Sequence, residues 1–294
     1  MQELVIISGK GGTGKTSLTA AFAALAQPVA LADCDVDAAD LHLMLRPRIR
    51  QREEFRSGAT AVIDAERCVQ CGACRAACRF DAIDEAFVVD PLACEGCRVC
   101  LYACPVQAVT MAENVCGEWF VSDTDYGVMA HAALGVAAEN SGKLVATVRQ
   151  QAKRIAAEEG RDLILIDGSP GIGCPVISSI AGASLVCVVT EPTLSGLHDL
   201  RRVIDLTAHF NIPATVCVNK ADINPEMTAQ IAAYCAERAL PVAGTLPYDP
   251  LITEAVIRQK PVTELAPDAA ISRLIQQMWE RLEQQLREKD AATH

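Results

Sequence analysis

A chain of 294 residues, 51% hydrophobic and 21% charged, has the size for about two domains and a large core. Its net charge, 26 − 37 = −11, excludes a general nucleic-acid surface, and no stretch reaches the ~18–20 uninterrupted apolar residues of a membrane helix. The strand ahead of the glycine loop begins at about residue 3 and leaves no room for a signal peptide, so a cytoplasmic chain is expected, whose 14 cysteines need an explanation other than disulfides.

The first predicted strand is Leu4-Val5-Ile6-Ile7, followed by a glycine-rich loop from Ser8 to Ser17 and an alanine-rich helix from Leu18 to Ala26. Gly9 through Thr16 fits G-x-x-x-x-G-K-[ST], the phosphate-binding loop, in the strand–loop–helix context that the motif demands. Gly11, Gly12 and Gly14 let the backbone turn its N–H groups around phosphate oxygens, at φ values other residues avoid. The helix start adds its positive end. The expected nucleotide contacts are Gly11, Gly12, Thr13, Gly14, Lys15, Thr16 and Ser17. Lys15 would reach the β- and γ-phosphates, and the Thr16 hydroxyl would hold Mg²⁺. Lys10 is a second lysine inside the loop.

Pro28-Val29-Ala30-Leu31-Ala32 reads as a second strand, ending at Asp33-Cys34-Asp35-Val36-Asp37. Carboxylates at the C-terminal edge of a strand in an α/β sheet point into the ligand crevice. Asp33, Asp37 and Asp40 read as loop charges or caps, and Cys34 as core. From about Arg46 the texture changes: Arg46 to Arg56 is charged, lacks a clear period and reads as a linker.

Then comes Cys68-x2-Cys71-x2-Cys74-x3-Cys78, and 26 residues later Cys94-x2-Cys97-x2-Cys100-x3-Cys104-Pro105. This is the bacterial two-cluster ferredoxin run, twice, and an internal repeat. Three closely spaced thiolates wrap one cubane while the fourth ligates the other. One [4Fe–4S] cluster is therefore expected on Cys68, Cys71, Cys74 and Cys104, and a second on Cys78, Cys94, Cys97 and Cys100. Zinc sites use four ligands in paired C-x2-C units and fit eight cysteines in three-plus-one runs less well. Arg79 stands where the second run has Pro105, a change that bears on potential without removing a ligand.

Beyond Ala112, Glu118-Trp119-Phe120-Val121-Ser122 reads as a strand, and Leu144 to Glu159 as a helix with Leu144, Val148 and Ile155 on one face. Glu139-Asn140-Ser141-Gly142-Lys143 between them reads as a capped loop or a partner contact. Cys116 has no assigned partner. Asp162 to Asp167 is an apolar strand closing on a carboxylate, the Walker B arrangement, with Asp167 as the second Mg²⁺ residue. Strands follow at Leu185–Thr190, Ala214–Asn219 and Val242–Leu246. His198 reads as starting a helix in a capping or packing role. The tail from Ile271 to Lys289 places Leu274, Met278, Leu282 and Leu286 on one helical face. Its glutamates argue for a helix docked on the sheet or a dimer partner rather than on a membrane.

The loop K-G-G-T-G-K-T resembles the deviant Walker A of the MinD/Mrp/ParA superfamily, which includes the nitrogenase iron protein. The resemblance spans nearly the whole chain, with a two-cluster ferredoxin inserted after switch I. It implies a homodimer with nucleotide at the interface, in which Lys10 reaches the partner's phosphates; the alternative is a solvated loop lysine. It makes Asp35 the residue that orients or deprotonates the attacking water, and Lys10, Lys15, Asp35 and Asp167 the catalytic set. Gly168-Ser169-Pro170-Gly171-Ile172-Gly173 is similar to switch II, and Cys174 after it is a cluster ligand or a packed thiol. Asn219, in Asn219-Lys220-Ala221-Asp222, becomes an adenine-pocket residue, with Pro247 and Asp249 closing the base site.

The expected fold is a doubly wound, mostly parallel α/β sheet. Its parts are a first ATPase segment 1–56, an inserted ferredoxin domain 57–112 and a second ATPase segment 113–294. The expected cofactors are ATP, Mg²⁺ and two [4Fe–4S] clusters. The expected function is a redox-linked ATPase passing electrons between a protein donor and acceptor. The alternative is an assembly or carrier factor for iron–sulfur or molybdenum-containing clusters, with a NifX-like partner; a MinD-like positioning ATPase is the third reading.

Overall fold

The computed structural model describes residues 1–135 and 140–293, with side chains through Lys289. Along the chain the strands are β1 (Gln2–Ser8), β2 (Val29–Asp33), β3 (Arg48–Ile63), β4 (Val109–Thr124), β5 (Gly127–Leu134), β6 (Leu163–Asp167), β7 (Leu185–Thr190), β8 (Ala214–Val218) and β9 (Val242–Thr245). The helices are α1 (Lys15–Leu25), α2 (Leu41–Leu45), α3 (Ala73–Ala77), α4 (Val99–Ala103), α5 (Ser141–Glu158), α6 (Cys174–Ile180), α7 (Leu194–His209), α8 (Pro225–Glu237), α9 (Pro250–Ile257), α10 (Val262–Leu265) and α11 (Ala270–Thr293).

Among the described residues the strands form one sheet in the order β3-β4-β5-β2-β6-β1-β7-β8-β9. The pairs β5–β2, β2–β6, β6–β1, β1–β7, β7–β8 and β8–β9 are all parallel. This is the doubly wound α/β architecture. Its central strands are apolar throughout because helices cover both faces of a parallel sheet. Leu4 to Ile7 and Val186 to Val189 are fully buried.

The chain divides into two units. Unit 1 is Met1–Glu53, Glu118–Leu134 and Ser141–His294; unit 2 is Glu54–Gly117 with Gly135–Asn140. In unit 1, alanines 20, 21 and 23 bring α1 close to the sheet, and Phe22 packs 5.5 Å from Trp279 of α11. Met278, Leu282 and Leu286 are buried in the same core, so the apolar face of the tail helix is spent on its own domain. Gly244 admits that helix; a Cβ there would stand 3.0 Å from the Met278 sulfur.

The stretch Arg46–Arg56 is not a linker. From Arg48 it is strand β3, first in the sheet order. An edge strand needs no apolar alternation, and its charges are matched by partners on β4 and after α5 instead. Arg50 pairs with Asp123 and, at 2.8 Å, with Glu159. Arg52 grips both oxygens of Glu118 at 2.8 and 2.6 Å and lies over Phe120.

Unit 2 is built on the repeat. Asp64 and Asp90 each accept an N–H two residues on, at 2.9 Å, and offer a carbonyl to Cys68 and Cys94 respectively. Gly72 and Arg98 take the left-handed conformation ahead of α3 and α4, and Cys78 and Cys104 end those helices with the same φ of −79° and ψ of 109°. Its small core consists of Ala61, Cys74, Ile83, Cys100 and Val109.

Candidate functional site

Strand register assembles the first site. Asp33 at the end of β2 pairs with Asp167 at the end of β6, and Ile6 of β1 flanks Asp167 on its other side. The loop after β1, the acidic segment after β2 and the carboxylate of β6 therefore open on one carboxyl edge. Gly11 to Ser17, Asp35, Ala38, Asp40 and Pro170 line a cavity of about 760 Å³, open solvent included.

Lys15 opens α1 and is 5% exposed. Its Nζ donates to Asp167 Oδ1 at 2.9 Å, to Asp35 Oδ2 at 3.2 Å and to Thr16 Oγ1 at 3.4 Å. Thr16 Oγ1 donates to Asp167 Oδ2 at 2.7 Å, so the two residues expected at Mg²⁺ already meet. Burial disfavours the ammonium, but the Asp167 and Asp35 carboxylates outweigh it and hold Lys15 above the ordinary lysine range. Burial pushes Asp35 up, with Lys15 pulling the other way. Gly14 stands at φ 92° ahead of α1, and a Cβ there would lie 2.4 Å from Asn219 Nδ2. The Thr13 hydroxyl is buried without a hydrogen-bond partner, an acceptor or donor available to a ligand in the loop.

Asp33 does more than carry a loop charge. Fully buried, it accepts the N–H groups of Asp35 and Leu41, both at 3.2 Å, and so shapes the segment bearing Asp35. Its carboxyl is pushed well up, by burial first and then by Asp167. Ser169, after β6, donates to the Cys34 carbonyl at 2.6 Å and ties the second switch-like segment to the first.

Lys10 lies within its own chain's network. Its Nζ is 2.5 Å from Glu191 Oε1 and 3.3 Å from Ser195 Oγ. Glu191 Oε2 holds Lys220 at 3.2 Å, and Lys220 Nζ donates to the Gly12 carbonyl at 3.1 Å. Sequence reasoning overlooked Glu191, although it follows strand β7 as Asp35 follows β2. Asn219 Nδ2 donates to the Thr13 carbonyl at 2.8 Å and its Oδ1 accepts the Lys220 N–H at 3.0 Å, so its amide braces the phosphate loop. Asp249 caps α9 by accepting the Leu251 N–H at 2.9 Å, and Pro247 beside it is half-buried. His198 is no cap: α7 begins at Leu194 on a Thr193 cap, and His198 is exposed beside Asp199. Cys174 is exposed, and Cys116 is buried with its Sγ donating to the Ser57 carbonyl at 2.9 Å. Of the segment Glu139–Lys143, Glu139 lies outside the described residues.

In unit 2, Cys78 from the first run and Cys94, Cys97 and Cys100 from the second line one cavity of about 350 Å³, its open mouth included. The other walls are chiefly apolar: Ala61, Ile83, Val89 and Met111 among them. Burial pushes the Cys100 thiol up, and Cys94 and Cys97 add to it; burial likewise pushes up Cys74, with Cys68 and Cys104 adding. Of these influences, that of Cys104 on Cys74 crosses between the two runs, and those of Cys94 and Cys97 on Cys100 and of Cys68 on Cys74 stay within one. Cys71 is exposed. Cys104 Sγ accepts the Ala108 N–H at 3.2 Å, the first cause of its lowered pKa. Among the described residues no three His, Cys, Asp or Glu side chains converge closely enough for a single metal ion.

A glycine loop between β1 and α1, a buried lysine on it and an acid closing β6 define a P-loop nucleotide-binding protein of the MinD/ParA ATPase type. The chain belongs to the CbiA family, the CobQ/CobB/MinD/ParA nucleotide binding domain, which matches residues 4–262. It is 33% identical over 227 residues to an uncharacterized protein of Methanocaldococcus jannaschii, covering 76% of this chain and 80% of the relative. It is also 30% identical over 124 residues to the cytosolic Fe-S cluster assembly factor Nubp1 homolog of Drosophila ananassae, covering 35% of this chain and 40% of that protein. Its fold is similar to that of the septum site-determining protein MinD complexed with Mg-ADP from Pyrococcus horikoshii, with a TM-score of 0.61, 19% identity and 98% of each chain covered.

Proposed function

We propose that this chain is a dimeric, Mg²⁺-dependent ATPase whose turnover is coupled to electron transfer through two [4Fe–4S] clusters held by unit 2, an inserted ferredoxin domain. One observation carries the redox half of the reading: a cysteine of the first run joins three of the second around one largely apolar cavity. That crossed set is the ligand pattern of two-cluster ferredoxins. Cys78, Cys94, Cys97 and Cys100 would hold one cluster, and Cys68, Cys71, Cys74 and Cys104 the other. The clusters supply one-electron chemistry when bound. The chain's own contribution is a largely apolar wall and backbone N–H groups such as that of Ala108, which stabilise thiolate charge.

For the nucleotide half, Lys15 would exchange its carboxylate partners for phosphate oxygens, and Thr16 and Asp167 would hold Mg²⁺. Asp35 stands in the cavity, 3.2 Å from Lys15 Nζ, where its carboxylate orients or accepts a proton from the attacking water. The phosphate loop, Asp35 and Asp167 all belong to unit 1. The test is turnover by anaerobically purified protein, oxidised and then reduced, with and without a ferredoxin-like partner. Turnover that responds to redox state or partner supports coupling; turnover indifferent to both removes it.

A second reading, iron–sulfur cluster assembly or transfer of a metal cofactor, draws on the match to the Drosophila assembly factor. A cluster that passes from this protein to an apo-acceptor only with ATP would favour it. A positioning role like that of MinD is a third reading. The apolar face of α11 is buried in its own domain, and vesicles that sediment the ATP-bound protein would favour this role.

A further inference from the structure

Beside the phosphate loop stands a carboxylate, Glu191, that the nucleotide reading leaves unused. Glu191 follows the end of β7 with its side chain 14% exposed and reaches Lys10 of a loop built to bind anions. Its two oxygens each take a lysine: Oε1 meets Lys10 at 2.5 Å and Oε2 meets Lys220 at 3.2 Å. The two cations differ in what else holds them. Lys220 is also tied to the Gly12 carbonyl at 3.1 Å, so it remains on the loop without Glu191. Lys10, 33% exposed, has beyond Glu191 only the longer contact to Ser195 Oγ at 3.3 Å among the bonds described. Burial by itself would raise the Glu191 carboxyl; the hydrogen bonds from Lys10 and Lys220 reverse that and hold it below the usual carboxylate range.

We propose that Glu191 is the positioning residue for Lys10: it clamps the Lys10 ammonium against its own chain, and nucleotide phosphates must compete with that carboxylate for the lysine. The inference rests on the reading of the P-loop as a nucleotide site. Its consequence is quantitative. If Lys10 is available in only about a tenth of the molecules, removing the clamp raises apparent nucleotide affinity about tenfold. The gain disappears when Lys10 is itself absent, because Glu191 acts through it. A residue that merely packed the loop would show no such dependence.

The test uses the full chain with four changes: Glu191→Gln, Glu191→Asp, Lys10→Ala and the double variant E191Q/K10A. Equilibrium binding of a fluorescent ATP analogue is measured for each. E191Q should bind about tenfold tighter than the parent. E191D, which keeps the charge, should stay nearer to it. K10A and E191Q/K10A should differ by less than about twofold. A second readout needs no nucleotide: the rate at which an amine-acylating reagent modifies Lys10, read by mass spectrometry. Acylation should be several-fold faster in E191Q than in the parent. Equal effects of E191Q with and without Lys10, weaker binding by E191Q, or unchanged Lys10 acylation would each overturn the clamp. A parent protein that binds no nucleotide would instead overturn the P-loop reading, and the acylation rates would still decide the clamp.

Discussion

Lys15→Met keeps the length of the side chain and removes its charge from a pocket of three acids. In the structure Lys15 Nζ sits 2.9 Å from Asp167 and 3.2 Å from Asp35, with Asp33 paired to Asp167 across the sheet. Removing one partner of a buried ion pair costs about 3–5 kcal/mol, because the remaining charge is left uncompensated. For a domain of this size each kcal/mol moves the melting temperature by roughly 2–4 °C, so a fall of roughly 6–20 °C is expected near pH 8. The sign of the pH dependence follows from the carboxyls. Asp33 and Asp35 are already pushed up by burial, and losing Lys15 removes what opposes that push. A folded-state pKa above the unfolded value means that the folded form takes up protons more readily as pH falls. The deficit should therefore narrow from pH 8 toward pH 5. Thermal unfolding followed by circular dichroism, without nucleotide or Mg²⁺, reads both quantities. A variant melting within about 2 °C of the parent at pH 8, or a deficit that widens on acidification, would refute the neutralising role of Lys15.

Lys10→Ala should abolish turnover and nucleotide-dependent dimerisation; unchanged turnover in a steady-state assay would refute a contribution from the partner's lysine. Cys78→Ser should damage the cluster expected on Cys94, Cys97 and Cys100 and spare the other. Electron paramagnetic resonance of the reduced variant should show one altered and one parental signal, and two parental signals would contradict the grouping. His131, buried and hydrogen-bonded to Ser122, is held down to about 4, by burial first and then by His42. Its folded pKa lies below the unfolded one, so stability falls as pH drops from about 6.5 toward 4, by up to about 3 kcal/mol. His131→Gln should flatten that slope in urea titrations, and a slope equal to the parent's would exclude His131 as its source.

Elements whose composition follows from burial were legible in the chain. A parallel strand covered on both sides is an apolar run, so Leu4–Ile7, Leu163–Ile166 and Leu185–Val189 announce themselves, and the acid that ends β6 marks the crevice. Within each cysteine run the three close thiols are set by local spacing, whereas the fourth comes from the other run, and one cavity gathers Cys78 with Cys94, Cys97 and Cys100. Strand β3 was not legible, since its stability lies in partners such as Glu118 and Glu159 far along the chain. Asp33 looks like any loop acid until the N–H groups of Asp35 and Leu41 are seen to converge on it. Glu191 is of the same kind: one glutamate after a strand says nothing until folding brings Lys10 and Lys220 to its two oxygens. Asn219 fits a base-reading motif, yet both ends of its amide are engaged by the phosphate loop and Lys220.

The most direct measurement on the central claim is the metal and sulfide content of anaerobically purified protein, taken together with its ATPase rate. The account predicts about eight iron atoms and about eight acid-labile sulfides per chain, with a rate that changes on reduction. A colourless protein free of iron and sulfide that hydrolyses ATP at full speed would contradict it.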